Sequence, residues 1–243
     1  MLNKIKIFGF VFVSVLIWVS ICFAAVNELD SNFDGKIDQW THLSSEEKVL
    51  KIEYDSNFNG QIDQVEYFND KGKLFKVEFD VDKDGTMDNY QFYNSNGNVK
   101  RIERSTKGNG KIDSREFYLG DKKLQMAEFD NDGDGKFEVS QIYNEAKELT
   151  RMETDSNKNG KVDVWTYFNK KKEVQYSAYD TNGNGKPDQW QYLDGGKKIK
   201  KIEYDTNSDG EVDQWEYFDN NNKVTKVEKD RNFDGKIDMT QKR

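Results

Sequence analysis

Residues 205–229 read "DTNSDGEVDQWEYFDNNNKVTKVEK". The stretch opens with oxygen-bearing side chains on alternate residues, Asp205, Asn207 and Asp209, followed by Gly210 and then Asp213. Two short runs come next, "QWEYF" at 214–218 and "VTKVEK" at 224–229, separated by "DNNNK". Runs of this length with alternating apolar and polar residues are half-buried strands, too short for a stable helix. The Asn and Asp residues between them tolerate the left-handed backbone of a tight turn. The unit reads as loop, strand, turn, strand.

The same unit recurs along the chain. Glycines stand at 35, 60, 85, 110, 135, 160, 185, 210 and 235, a spacing of 25 without insertion or deletion. Five residues before each glycine lies an aspartate, except at Ser105. Self-similarity at a fixed period marks a repeat architecture. The expected fold is all-β: an elongated tandem array of nine 25-residue units over residues 25–243, forming a twisted antiparallel meander with neighbour-only contacts. At about 4.8 Å per strand the array would be of the order of 85 Å long. Trp215 and Tyr217 alternate with Gln214 and Glu216, and Ile202 and Tyr204 with Lys201 and Glu203. That alternation predicts one aromatic and aliphatic face and one wet face of Gln, Glu and Lys. The apolar face then needs a cover: curling of the sheet, a second layer or a partner.

The N-terminus, "MLNKIKIFGFVFVSVLIWVSICFAAVNELD", has a basic start, an apolar run from Ile7 to Phe23 and the small residues Ala24 and Ala25. Residues 1–24 are therefore expected to be a signal peptide, with a retained anchor as the alternative. Removal would leave no membrane span and direct the protein to the periplasm, the cell surface or the medium. Cys22 is the only cysteine, so disulfides cannot hold the remainder together. Charged residues make up 34% of the chain, and the mean hydropathy of −0.99 borders on that of disordered sequence. An aromatic content of 14% and a single proline, Pro187, argue for a folded array instead. The net charge of −8 repels nucleic acid and attracts cations.

In a tight loop every second side chain points inward, and a flexible cage of hard oxygens suits calcium. Zinc or copper would call for His and Cys. The expected ligands are Asp30, Asn32, Asp34 and Asp38 in loop one, and Asp55, Asn57, Asn59 and Asp63 in loop two. Loop three offers Asp80, Asp82, Asp84 and Asp88; loop five offers Asp130, Asp132, Asp134 and Glu138. Loop six contributes Asp155, Asn157, Asn159 and Asp163, and loop seven Asp180, Asn182, Asn184 and Asp188. Loop eight contributes Asp205, Asn207, Asp209 and Asp213, and loop nine Asp230, Asn232, Asp234 and Asp238. Loops three and five hold four carboxylates each, and charge count tunes affinity. Loop four has Ser105, Lys107, Asn109 and Asp113, with a lysine aimed where a cation would sit, so it is predicted to be empty. That leaves up to eight calcium sites. The competing reading of all these clusters is plain turn formation, which leaves the fixed one-three-five-nine register unaccounted for.

These loops resemble the EF-hand calcium loop, and more closely the helix-poor loops of thrombospondin type 3 and dockerin modules. The intervening hairpins are similar to YD-type or MORN-type repeats. The EF-hand motif ends in a bidentate Glu at position twelve, which implies Glu66 and Glu216 as further ligands in intact loops. The resemblance implies calcium binding in a secreted or surface-displayed protein. A second source of carboxylate is the Glu two residues before a loop, at 53, 78, 103, 128, 153, 203 and 228. Each either reaches a neighbouring loop or pairs with Lys on its own strand.

No catalytic constellation emerges. His42, the only histidine, stands where other repeats place Tyr or Phe, and no carboxylate pair is singled out. The expectation is a non-enzymatic, calcium-stabilised structural or adhesive repeat protein whose partner is a surface protein or polysaccharide. The alternative is a calcium-dependent carbohydrate- or ligand-binding module that uses Trp190, Trp215 and their neighbours.

Overall fold

A computed structural model describes residues 25–120 and 122–243. The expected signal peptide lies outside the described residues. Eighteen strands follow one another in a single sheet. They are β1 (Val26–Leu29), β2 (Gln39–Leu43), β3 (Val49–Tyr54), β4 (Gln64–Phe68), β5 (Leu74–Phe79) and β6 (Asn89–Tyr93). The middle repeats supply β7 (Val99–Arg104), β8 (Ser114–Leu119), β9 (Lys123–Phe129), β10 (Val139–Tyr143), β11 (Leu149–Thr154) and β12 (Val164–Phe168). The last are β13 (Val174–Tyr179), β14 (Gln189–Asp194), β15 (Lys198–Tyr204), β16 (Gln214–Phe218), β17 (Val224–Lys229) and β18 (Met239–Lys242). Among the described residues there is no helix.

Every strand pairs antiparallel with the strands next to it in sequence, so β1 and β18 are open edges. The expected meander of tandem hairpins is the fold. Tight turns alternate with the long loops along its connections. In the turn after β4, the Gly72 amide donates to the Asn69 carbonyl at 2.8 Å, and Asn69 Oδ1 accepts from the Lys71 and Lys73 amides. Gly72 has φ 71°, and the register slips between Tyr67 and Phe68, the bulge that matches a tight turn to strand twist. Antiparallel alternation has a geometric consequence: all nine long loops lie along one margin of the sheet and all the tight turns along the other.

One expectation fails. Tyr217 pairs with Lys201 and Trp215 with Glu203, while Glu216 pairs with Ile202 and Gln214 with Tyr204. Directly paired residues share a face, so the aromatic positions of one strand lie beside the charged positions of the next. Neither face is apolar. The alternation within each strand was legible, but the pairing register between strands sets them out of phase. Among the described residues there is one sheet and no second layer. Burial comes from long side chains lying over aromatic rings. Lys76 Nζ lies 5.4 Å from the Tyr67 ring centroid, 5.3 Å from that of Tyr90 and 5.6 Å from that of Phe92. Arg101 sits 4.1 Å over Phe92, and Lys226 3.8 Å over Tyr217. Among the described residues the buried apolar ones are few and scattered: Val65, Val77, Ala127, Ala178, Ile202 and Val227.

Candidate metal centre

The loops fold around their own anionic oxygens. In loop two, Asp55 accepts the amide of Asn59 on Oδ1 at 3.1 Å and that of Gly60 on Oδ2 at 2.7 Å. Asn57 Oδ1 accepts the Asn59 amide at 3.1 Å, and Asn59 Oδ1 that of Gln61 at 2.8 Å. Asp63 closes the ring by accepting the Asn57 amide at 3.1 Å. Two left-handed residues, Phe58 at φ 60° and Gly60 at φ 89°, turn the amides inward. Asp55 is only 3% exposed. Neighbouring loops are stitched by the backbone: the Asp55 amide donates to the Asp38 carbonyl at 2.9 Å, and the bond recurs from Asp80 to Asp63 and on to Asp230 and Asp213. Backbone donors thus supply part of the charge compensation that the sequence assigns to metal.

Carboxylates converge in two of the nine loops. Oxygens of Asp130, Asp132, Asp134 and Glu138 lie within 4.8 Å of one another, as do those of Asp80, Asp82 and Asp88. These are the loops with four carboxylates in sequence. Asp84 stays outside its group, accepting the Thr86 amide at 2.7 Å. The sets of Asp30, Asp34 and Asp38, of Asp205, Asp209 and Asp213, and of Asp230, Asp234 and Asp238 do not close to that distance. Their Asn partners show why: Asn32, Asn207 and Asn232 each donate an amide to the aspartate two residues on, at 3.2, 2.7 and 3.4 Å. Loops six and seven keep the same scaffold, with Gly160 on Asp155 at 2.6 Å and Gly185 on Asp180 at 2.7 Å. Asn157 and Asn182 there donate their backbone amides to Asp163 and Asp188 at 3.3 and 3.0 Å, and Asn159 and Asn184 accept from Lys161 and Lys186 at 2.8 Å.

Glu66 and Glu216 sit in mid-strand, away from the loop oxygens. Glu66 takes bonds from Gln64 Nε2 at 2.9 Å and the Tyr54 hydroxyl at 3.4 Å, and Glu216 from Gln214 at 3.3 Å. An EF-hand helix would swing position twelve back over its loop; a strand carries it along the sheet instead. Most of the glutamates before the loops are paired along their own strands, and Glu128 pairs across to the neighbouring strand. Glu78 meets Lys76 at 2.5 Å, Glu153 meets Arg151 at 2.7 Å, Glu203 meets Lys201 at 2.5 Å and Glu228 meets Lys226 at 3.0 Å. Arg115 lies 3.4 Å from Glu103 and 3.9 Å from Glu128. Glu53 binds Lys51 and, at 2.5 Å, His42. Burial opposes ionisation of Glu53, but Lys51 and His42 outweigh it and lower its pKa.

Loop four departs from its expected geometry. Lys107 does not point into its own loop: Nζ donates to the carbonyls of Asp130 and Asn131 in loop five, at 3.3 and 3.1 Å. Ser105 bonds Asn109 at 3.3 Å, and the buried Asp113 accepts the Thr106 amide at 2.9 Å. From the other side, Lys158 of loop six forms an ion pair with Asp132. The hydrogen bond from Lys158 and the Asp134 amide hold the Asp132 carboxyl down to about 2. The residues 26 apart, position three of one loop and position four of the next, meet again where Asn182 donates to Ser208 at 3.1 Å. Lys107 and Lys158 escaped sequence reasoning as bridges because that reasoning treated each loop alone. Their signal was a basic residue in each of the loops that flank loop five, one of the two loops with four carboxylates.

An aromatic row was also missed as a unit. Tyr167, Tyr176 and Tyr192 pair across β12, β13 and β14 and stack at 4.4 and 5.4 Å. The signal was in β13, where Tyr176 and Ala178 replace the usual basic residue and Glu. Trp165 and Trp190 flank Ala178 and are half-buried.

No family model matches the chain, and no curated protein matches it. Among solved structures, a complex of accessory secretory proteins 1, 2 and 3 from Streptococcus pneumoniae is 21% identical over 38% of this chain and 19% of that one, with a TM-score of 0.30. A S. aureus TarM mutant in complex with fondaparinux, α-GlcNAc-glycerol and UDP is 13% identical over 54% of this chain and 20% of that one, with a TM-score of 0.23. A Photorhabdus luminescens Tc holotoxin pore is 12% identical over 86% of this chain, with a TM-score of 0.21. The chain spans about a fifth or less of the length of these structures.

Proposed function

We propose that the chain is an exported, calcium-binding and calcium-stabilised repeat protein with a structural or adhesive role and no catalytic activity. The supporting observation is the convergence of four carboxylates in loop five, on a scaffold repeated along one margin of the sheet. Hard oxygens at this density favour calcium over softer metals. Metal bound only to the folded state adds about 2.7 kcal/mol per site at a hundredfold excess over Kd. In a single-layer sheet with few buried apolar residues, several such increments rival the whole conformational stability. The test is calorimetric titration with calcium, with thermal unfolding by circular dichroism before and after chelation. Several sites and a melting temperature that rises with calcium are expected. Absence of binding heat together with an unchanged melting temperature would refute the reading.

The stacked tyrosines favour a second role for the same array, a platform for polysaccharide. Flat, partly exposed rings in a row suit the apolar faces of sugar rings, and the hydroxyls at their rims suit sugar oxygens. Glycan-array binding that disappears on Tyr176→Ala is expected; unchanged binding by that variant would remove this role.

A further inference from the structure

Loop five differs from the other eight in two ways, and a third feature, shared only with loop four, reinforces them. It alone places Glu at position nine, where the rest carry Asp. It alone brings four carboxylates together. Its Glu138 is 9% exposed, and while Oε2 accepts the Asn131 amide at 3.2 Å, Oε1 is buried with no hydrogen-bond partner. Asp113 Oδ2 of loop four is likewise buried and unpartnered, but among the described residues no carboxylate cluster gathers around it. A buried carboxylate oxygen without a donor is costly, because it has surrendered water for nothing. The other three carboxylates of the cluster are each met by backbone amides: Gly133 and Gly135 on Asp130 at 2.6 and 2.8 Å, Asp134 on Asp132 at 3.1 Å, and Lys136 on Asp134 at 2.8 Å. The extra methylene of Glu138 thus delivers one unpaired anionic oxygen into a cage otherwise held in shape.

Around this cage the chain arranges its own cations. Lys107 reaches in from loop four to two carbonyls, Lys158 from loop six to Asp132, and Lys136 of the loop itself stands 3.8 Å from Asp134. Of these, Lys158 is the one that occupies a carboxylate oxygen of the cluster from a neighbouring loop.

We propose that loop five is the first site to fill with calcium, with Glu138 as the ligand held in reserve for it, and that Lys158 is a resident counter-cation which calcium displaces from Asp132. The proposal deepens the calcium-binding reading above and rests on it. Filling loop five frees the ammonium of Lys158, so the event in one loop changes the charge environment of the next.

The position-six glycines give one reporter per loop. Calcium titration of the isotope-labelled protein, followed through the backbone amide resonances of Gly35 to Gly235, reads each site separately. Gly135 should shift at the lowest calcium concentration. Glu138→Gln should raise the Gly135 midpoint by about tenfold or more while leaving that of Gly85 in place. Lys158→Met should lower the Gly135 midpoint by about twofold to fivefold, the scale of an exposed ion pair. Lys161→Met, the same charge change in the same loop, should lower it less. The proposal is overturned if Gly135 shifts no earlier than the other glycines, if Glu138→Gln leaves its midpoint unchanged, or if Lys158→Met acts no more strongly than Lys161→Met. If no glycine amide responds to calcium at all, the calcium-binding reading itself fails, a result distinct from those three.

Discussion

Asp55 illustrates how much of each loop depends on a single side chain. It is buried, accepts two backbone amides, and donates its own amide to the loop before it. Asp55→Ala leaves the Gly60 amide without an acceptor and the Asn59 amide with Asn57 Oδ1 alone, and should cost about 1–3 kcal/mol in metal-free protein, measured by urea unfolding in chelator. Asp55→Asn keeps one acceptor and should cost less. The tight turns carry the opposite kind of residue. Glu47 adopts φ 60° in the turn after β2, where the equivalent position after β4 is Gly72. A side chain in that region is strained, so Glu47→Gly should raise stability by about 0.5 kcal/mol in the same assay. The turn and loop positions that need a left-handed residue were visible in sequence wherever Gly or Asn stood there. They were invisible at Glu47, Phe58 and Lys158, where the fold imposes the conformation on residues that do not prefer it.

At the level of the strand, each face of the sheet is a lattice of rings, cations and carboxylates. Tyr67 and Tyr192 lie against Glu78 and Glu203, and Tyr118 against Glu116; burial first, and then those carboxylates, push the three phenols up to about 12. A phenol whose folded pKa exceeds its unfolded value of roughly 10 binds its proton more tightly when folded. Its contribution is therefore intact below pH 10 and is lost as pH rises toward 12. The expected outcome is a steep loss of strand signal across that window, with tyrosinate absorbance from these residues appearing only as the sheet opens. The strands themselves, their lengths and their order were legible, because alternation and turn residues are local. The mixing of the two faces was not, because it depends on which residue of one strand opposes which residue of the next. Likewise the one-three-five-nine pattern identified the loops, but nothing within a single loop identified the bridges to its neighbours. Loops one, eight and nine have three carboxylates that an Asn amide keeps apart, a distinction that needs coordinates.

For the molecule as a whole, contacts between consecutive strands only mean that no repeat is indispensable to the rest. A chain ending at residue 218 loses the final turn, β17, loop nine and β18, and should remain folded. Its denaturant slope should fall by about one ninth, in step with the surface removed. Complete unfolding of the shortened chain would contradict a fold built from near-independent units. The same arrangement governs how the array responds to being pulled. With β1 at one end of the row and β18 at the other, traction between them acts along the interstrand hydrogen bonds, one ladder after another in series. Each hairpin would let go separately, releasing 25 residues, about 80–90 Å of slack, while those behind it stay shut. An array of this kind would yield in small steps under strain and rewind when the strain is removed.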